Sequence, residues 1–235
     1  FPVVTCTYNA AQVLQTTLDS VRRQTWRNVE HIIMDGRSAD STVSVAEAYK
    51  AESDACGCGH EVIVVSEPDK GLYDAMNKGL RQATGDYFVF LNAGDTFHTA
   101  DTLNQIVNGL QRRKNLPDVI YGETRIVDAE GKSLGMRRLK APRRLTWKSF
   151  KMGMLVCHQS FYARREIAPL YDLSYRYSAD YDWCLRCLKS ARSVYNARTV
   201  LSDFLEAGLS TTNRKASLRE RYEIMCRYYG KFQTI

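Results

Sequence analysis

Acidic, amide and glycine residues gather at four places in the first hundred positions. Thr7-Tyr8-Asn9 comes first, then Asp35-Gly36-Arg37-Ser38-Ala39-Asp40. Asp69-Lys70-Gly71 follows, leading into Tyr73, Asp74 and Asn77, and Asn92-Ala93-Gly94-Asp95 closes the series. A carboxylate such as Asp95 suits Mg²⁺ or Mn²⁺, which prefer carboxylate, water and phosphate oxygens. Two more acids, Asp180 and Asp182, stand close together in Ser178-Ala179-Asp180-Tyr181-Asp182-Trp183. One of them could take the proton of an attacking hydroxyl, although a helix dipole favours both as plain first-turn acids. His158, in His158-Gln159-Ser160, offers a lone imidazole to a phosphate or a hydroxyl. Turns at a protein surface favour Asp, Asn and Gly for their own reasons, so any single cluster can be simple turn chemistry.

The elements that must carry these residues explain why four clusters in succession mean more. Residues 3–7, 29–34, 61–66 and 86–91 read as strands, mostly continuous apolar runs. Between them lie helical patterns. Leu14, Thr17, Leu18 and Val21 recur at helical spacing with Asn9 able to cap, residues 42–50 form a second helix, and Leu72, Met76, Leu80 and Ala83 mark a third. Alternating strands and helices predict an α/β fold, a mostly parallel Rossmann-like sheet flanked by helices on both faces. In such sheets ligands bind beyond the carboxyl ends of the strands, and each of the four clusters directly follows a strand. Tyr73, Asp74 and Asn77 share one polar stripe of the third helix, opposite its apolar face. Gly71 and Gly79 cost that helix stability, a cost explained if a ligand or backbone comes close.

Past residue 100 the alternation weakens. Short strands are expected at 119–121, 125–127 and 157–162, with a hairpin connection at 128–131. A helix is expected over 181–189, and a last amphipathic helix over 214–230 with Leu218, Tyr222, Met225 and Tyr229 on its stripe. With no internal repeat or clear linker, the 235 residues read as one domain. Residues 1–100 form a nucleotide-binding half and residues 101–235 an acceptor half.

Bulk properties narrow the class. At 44% hydrophobic and 25% charged residues, the composition is that of an ordinary globular protein. No stretch approaches the roughly 18 apolar residues of a membrane span, and no charged-then-apolar leader is visible. The chain opens on Phe1 rather than Met, so residues ahead of it are expected. The net charge of +7 is local, because residues 132–151 hold eight Lys or Arg and no acid. That segment suits phosphates, an anionic membrane or nucleic acid, or it is a solvated loop. Seven cysteines, an odd number in a long chain, make no disulfide framework. Cys56, Cys58 and His60 lack a second ligand pair for zinc, and Cys184 and Cys187 fall inside a helix rather than at a redox strand end.

Four of these segments together resemble family-two glycosyltransferases of the A-type (GT-A) fold. They are Val4 to Asn9, Asp35 to Thr42, Asp69 to Gly79, and Asn92-Ala93-Gly94-Asp95. The likeness runs over roughly residues 2–210 and is greatest to bacterial enzymes that build capsule, exopolysaccharide or lipopolysaccharide sugars. It implies an inverting transfer of a sugar from a nucleotide diphosphate donor, with UDP favoured, to a hydroxyl of a saccharide or lipid-linked saccharide. On this reading Thr7, Tyr8, Asn9 and Asp35 receive the nucleoside, Asp35 as acceptor for the uracil imide N–H and Tyr8 as stacking surface. Asp69, Lys70, Gly71, Tyr73, Asn77, Asn92, Ala93, Gly94 and His158 complete the donor site. Asp95 is the metal ligand for Mn²⁺ or Mg²⁺. The family commonly has two or three acids there, and Asn92 replaces the earlier one, which weakens the site. Asp180 is the base, Asp182 the runner-up, and Ala179 stands where the family usually has Glu. Gly208-Leu209-Ser210-Thr211 resembles a segment that closes near the acceptor. The resemblance also implies a cytoplasmic enzyme, peripheral at the inner membrane face, with no nucleic-acid partner. Alternatives are a catalytically inactive sugar-nucleotide binder and a sugar nucleotidyltransferase, though the loop after the first strand lacks the Gly-rich, basic make-up that grips a triphosphate.

Overall fold

The structure is a computed structural model that describes residues 1–206 and 213–231; the segment at 208–211 lies outside them. Strands β1 (Pro2–Thr7), β2 (Val29–Asp35), β3 (His60–Ser66) and β4 (Tyr87–Phe90) alternate with helices α1 (Ala11–Arg22), α2 (Thr42–Cys56) and α3 (Leu72–Gln82). Then come β5 (Thr96–Phe97), α4 (Thr102–Gln111), β6 (Val119–Val127), β7 (Ser133–Met136) and β8 (Phe161–Arg164). Helix α5 (Ala179–Ser190), β9 (Val194–Leu205) and α6 (Arg214–Tyr229) complete the order. The strands join in one sheet in the order β3-β2-β1-β4-β8-β6-β9-β5, with β7 on β6.

The first four strands are parallel, as their apolar runs predict. The second half is mixed: β8 is antiparallel to β4 and β6, while β6 and β9 run parallel. Both faces of the sheet are covered. Val4, Ile32 and Met34 pack with Met76 and Leu80 of α3 and Trp183 of α5. Val3 meets Leu103 and Ile106 of α4, and Ile33 packs with Leu14 and Leu18 of α1. Gly79 is explained here, since a Cβ on it would lie 2.4 Å from Val4 Cγ1, so only glycine lets α3 sit this close to β1.

Several expectations are corrected. Asn9 does not cap α1. It adopts φ 48 and receives Ala39 N–H on its Oδ1, while Thr42 Oγ1 and Asp40 Oδ2 accept from Ala10 N and Ala11 N. Helix α2 runs on to Cys56, where Gly57 in the left-handed region ends it. The expected pair of strands at 119–121 and 125–127 is one strand, whose register against β9 shifts around Gly122. His158–Ser160 is a 3₁₀ turn ahead of β8 rather than part of a strand. The hairpin at 128–131 forms as expected, with Gly131 N donating to Asp128 O. On α6 the expected stripe holds at Met225 and Tyr229, which pack on the core with Ile224 and Tyr228, while Leu218 and Tyr222 face solvent; the first turns are held instead by hydrogen bonds to Glu220 and Ser217, which an apolar stripe does not reveal. All seven cysteines are free thiols, and no described helix is long and apolar enough to cross a membrane.

Candidate active site

Chain order reverses between β1 and β4, the two strands on either side of the point from which the sheet grows in both directions. The loops leaving these strands part there and open a crevice. It is a cavity of about 290 Å³ lined by Thr7, Tyr8, Leu72, Tyr73, Asn92, Ala93, Asp95, His158, Gln159, Tyr177, Asp180 and Phe204, among others. One wall therefore comes from the first hundred residues and the other from the second part of the chain.

The floor is built by α1. Thr17 Oγ1 donates to Asp95 O and accepts Gly94 N–H, which fixes the turn after β4. Asp95 is 4% exposed. Its Oδ2 accepts from Gln159 Nε2 at 2.7 Å and its Oδ1 from Leu205 N at 3.1 Å. Burial pushes its carboxyl up to about 6, with the Gln159 hydrogen bond and the nearby His158 opposing. Asn92 Oδ1 and Thr7 Oγ1 are buried without a hydrogen-bond partner among the described residues. Both belong to residues that line the cavity; other buried atoms in this state, such as Tyr162 OH and His60 Nδ1, lie away from it.

The far wall carries Asp180, in the first turn of α5. Tyr73 OH donates to its Oδ1 at 3.2 Å, Tyr181 N at 2.9 Å, and His158 Nδ1 stands 3.3 Å from its Oδ2. Burial alone would raise this carboxyl, but the hydrogen bond and charge of His158, with the Arg221 guanidinium beyond, hold it below the usual carboxylate value. It is ionised at neutral pH. His158 Nε2 lies 3.4 Å from Asn92 Nδ2, so the imidazole links the floor to the far wall.

Above the floor, Tyr8 is 66% exposed. Gly36 lies between it and Asp69: a Cβ at 36 would sit 2.5 Å from Asp69 Oδ2 and 3.4 Å from the Tyr8 ring. Tyr8, Gly36 and Asp69 thus form one rim, and Asp69 also receives Gly71 N–H at the start of α3. Asp35 lies under this rim rather than in the cavity. It is buried, and its oxygens accept from Ser38 N, Ser38 Oγ and Ser66 Oγ. Lys70 and Asn9 are exposed at the edge.

Two expected site residues are elsewhere. Asn77, 3% exposed, bonds both ways to the Tyr171 backbone, Nδ2 to its carbonyl at 3.0 Å and Oδ1 from its N–H at 2.6 Å. It pins the 169–175 segment, so Tyr73 and Asn77 form no solvated stripe. Asp182, 1% exposed, accepts from Arg186 Nε at 2.6 Å and Tyr228 OH at 2.9 Å. Two residues on from Asp180 on a helix, it points away from the cavity and toward α6. Conversely, sequence reading passed over Gln159, Tyr177 and Phe204. Gln159 adjoins His158 in the same short motif, a signal within reach; Tyr177 and Phe204 carried none.

The buried Asp95 makes stability depend on pH. Its folded pKa of about 6 lies above the model-peptide value of 3.8, so the native state binds more protons than the unfolded chain between those pH values. Asp95 therefore costs nothing below about pH 4 and destabilises increasingly up to about pH 6, by on the order of 3 kcal/mol. Chemical denaturation of Asp95→Asn and wild type should show the variant gaining relative stability across that window. A difference independent of pH would contradict it.

Comparison with known proteins matches residues 3–168 to the glycosyl transferase family 2 profile. A PGL/p-HBAD biosynthesis glycosyltransferase of Mycobacterium tuberculosis is 32% identical over 221 residues, covering 90% of this chain and 79% of that protein. An uncharacterised glycosyltransferase of the same species is 34% identical over 215 residues, covering 89% and 76%. Among solved structures, S. aureus TarS in complex with UDP superposes with a TM-score of 0.73 at 15% identity, covering 97% of this chain and 64% of that one. A mannosyltransferase from Pyrobaculum calidifontis in complex with GDP-Man and Mn²⁺ gives 0.68 at 17%, covering 96% and 64%. This chain thus spans about 64% of the length of these two structural relatives. The mixed sheet with its flanking helices is the A-type glycosyltransferase fold.

Proposed function

Because this chain belongs to glycosyl transferase family 2, we propose that it is an inverting, metal-dependent enzyme that moves a sugar from a UDP donor to a hydroxyl of a saccharide or lipid-linked saccharide. One observation carries this reading: the crevice at the switch point of the sheet sets Asp95 and Asn92 on its floor opposite the Asp180 carboxylate on its far wall. The chain works as one domain, residues 1–100 serving the donor and 101–235 the acceptor.

The nucleoside lies on the exposed Tyr8 ring against Gly36 and Asp69. Uracil's imide N–H competes with the Ser38 hydroxyl for Asp35. Thr7 and Asn9 flank the nucleoside, and Lys70, Gly71, Ala93, Gly94 and His158 edge the path of the diphosphate. For a divalent cation the donor set fits: Asp95 supplies a carboxylate oxygen and Asn92 an orphaned amide oxygen, and hard cations take their remaining ligands from phosphate and water. Bound there, Mn²⁺ or Mg²⁺ neutralises charge on the departing diphosphate. Asp180 accepts the proton of the acceptor hydroxyl as that oxygen bonds to the anomeric carbon and the bond to the diphosphate breaks. A single displacement inverts the configuration. Tyr73 and His158 hold the carboxylate toward the cavity.

The acceptor reading adds a surface. Residues 132–151 bear eight cationic side chains without an acid, and Leu134, Met136 and Met152 beside them are 52%, 45% and 76% exposed. Exposed apolar groups amid cations suit an anionic lipid surface, consistent with a cytoplasmic protein peripheral at the membrane that builds envelope polysaccharide without any nucleic-acid partner.

Calorimetric titration of UDP in the presence of Mn²⁺ tests the donor assignment. Wild type should bind UDP in preference to GDP, and Tyr8→Ala should weaken binding about tenfold or more, the worth of one base stacked on an aromatic ring. Equal affinity for UDP in the variant would remove Tyr8 from the site, and binding of GDP alone would change the donor.

A further inference from the structure

The matched family profile ends at residue 168, ahead of both α5 and α6. Helix α5, which presents Asp180, has no side-chain cap of its own at Ser178. Its start is held from outside. Glu220 of α6 accepts three consecutive backbone N–H groups, Arg176 at 2.8 Å on Oε1 and Tyr177 at 2.7 Å and Ser178 at 2.9 Å on Oε2. Ser178 Oγ donates to Ser217 O of α6 at 3.0 Å. The tie is returned by Tyr228 OH of α6, which donates to Asp182 of α5 at 2.9 Å. Each helix thus places a carboxylate on the other.

We propose that Glu220 is a positioning residue for the transfer reaction, a cap supplied by α6 that fixes the first turn of α5 and so the direction of Asp180. The physics is that of a helix N-terminus. The three N–H groups lie on the residues that lead into α5, the last of them its N-cap Ser178, and a carboxylate there makes short, charge-assisted bonds at the positive end of the helix dipole. Asp180 is two residues past Ser178, so a shift of this turn moves its carboxylate relative to the cavity. Tyr177, whose N–H is one of the three, itself lines the cavity. Displacements on the order of 1 Å cost catalysis about 10²-fold without touching the reacting groups. The three N–H groups are gathered by one residue more than forty positions downstream.

This inference rests on Asp180 being the base, so the test separates the two. Steady-state transfer, UDP affinity and thermal melting are measured for Glu220→Gln, Asp180→Asn and the double variant. Glu220→Gln is expected to lower kcat about 10- to 100-fold, with the Kd for UDP and the melting temperature near wild type. It should cost little further on the residual turnover of Asp180→Asn, because it acts through that carboxylate. Glu220→Asp, which keeps the charge, should recover part of kcat. Unchanged kcat in Glu220→Gln, a parallel loss of UDP affinity and melting temperature, or full additivity in the double variant would each overturn the positioning role. Wild-type turnover in Asp180→Asn would overturn the base assignment instead.

Discussion

Replacing Asp180 by Asn is expected to lower transfer about 10²- to 10⁴-fold, the usual worth of a general base, while UDP binding stays unchanged. The split follows from the geometry. Asp180 lies on the α5 wall, apart from the Tyr8, Gly36 and Asp69 rim and from the Asp95 floor, so the donor's nucleotide has no call on it. Asn matches Asp in size and can keep one of the hydrogen bonds from Tyr73 and His158, but it cannot take a proton. The pH profile carries a second mark. Burial raises the carboxyl, His158 and Arg221 more than offset this, and the net pKa is below the usual value. The acid limb set by Asp180 should therefore lie below the range of an ordinary carboxylate, separate from the limb nearer pH 6 that the buried Asp95 carboxyl sets. Comparable kcat in the variant, measured by product release at saturating donor, would send the search for a base elsewhere, with His158 next in line at 3.3 Å from the same carboxylate.

The first half of this site was legible because each fact about it is local. A strand covered on both faces must be a continuous apolar run, and the turn that ends it must use polar, small residues. Thr7, Tyr8, Asn92 and Asp95 follow from those two rules, and the parallel order brings them to one edge. The residues that went wrong depend on distant partners. Asn77 looks like a solvated helix position until Tyr171, 94 residues on, presents its backbone. Asp182 and Asp180 are interchangeable in sequence, and only Tyr228 and Arg186 separate them. Strand β9 was missed because most of it is half-buried, Arg198 within it takes φ 55, and its register against β6 shifts twice; no alternation survives that. Helix α4 hides a glycine on its buried side, where Gly109 leaves room for the Tyr195 hydroxyl.

The largest effect on the donor side is expected from Asp95. A hard cation needs several oxygen ligands, yet no group of three or more acidic, His or Cys side chains that could hold a metal occurs among the described residues. On the proposed metal site, one carboxylate and one amide oxygen would be too few to hold Mn²⁺ alone, and phosphate oxygens would supply further ligands. The two ligands are then mutually dependent, and by linkage each strengthens the other equally. Mn²⁺ titrated into the free protein should give no measurable heat, whereas UDP should bind on the order of 10²-fold more tightly with Mn²⁺ than without it, a coupling of about 3 kcal/mol. Asp95→Ala should abolish that coupling, and so should Asp95→Asn, which keeps the side chain's size between Gln159 and Leu205 and controls for collapse of the floor. The converse variant is the sharper one. Asn92→Asp adds a carboxylate at the position whose amide oxygen has no partner, and it should let Mn²⁺ bind in the absence of UDP. Coupling that survives in Asp95→Asn would take Asp95 out of the metal site. Its burial would then serve the fold alone, through the hydrogen bonds from Gln159 and Leu205 that tie β9 to the turn after β4.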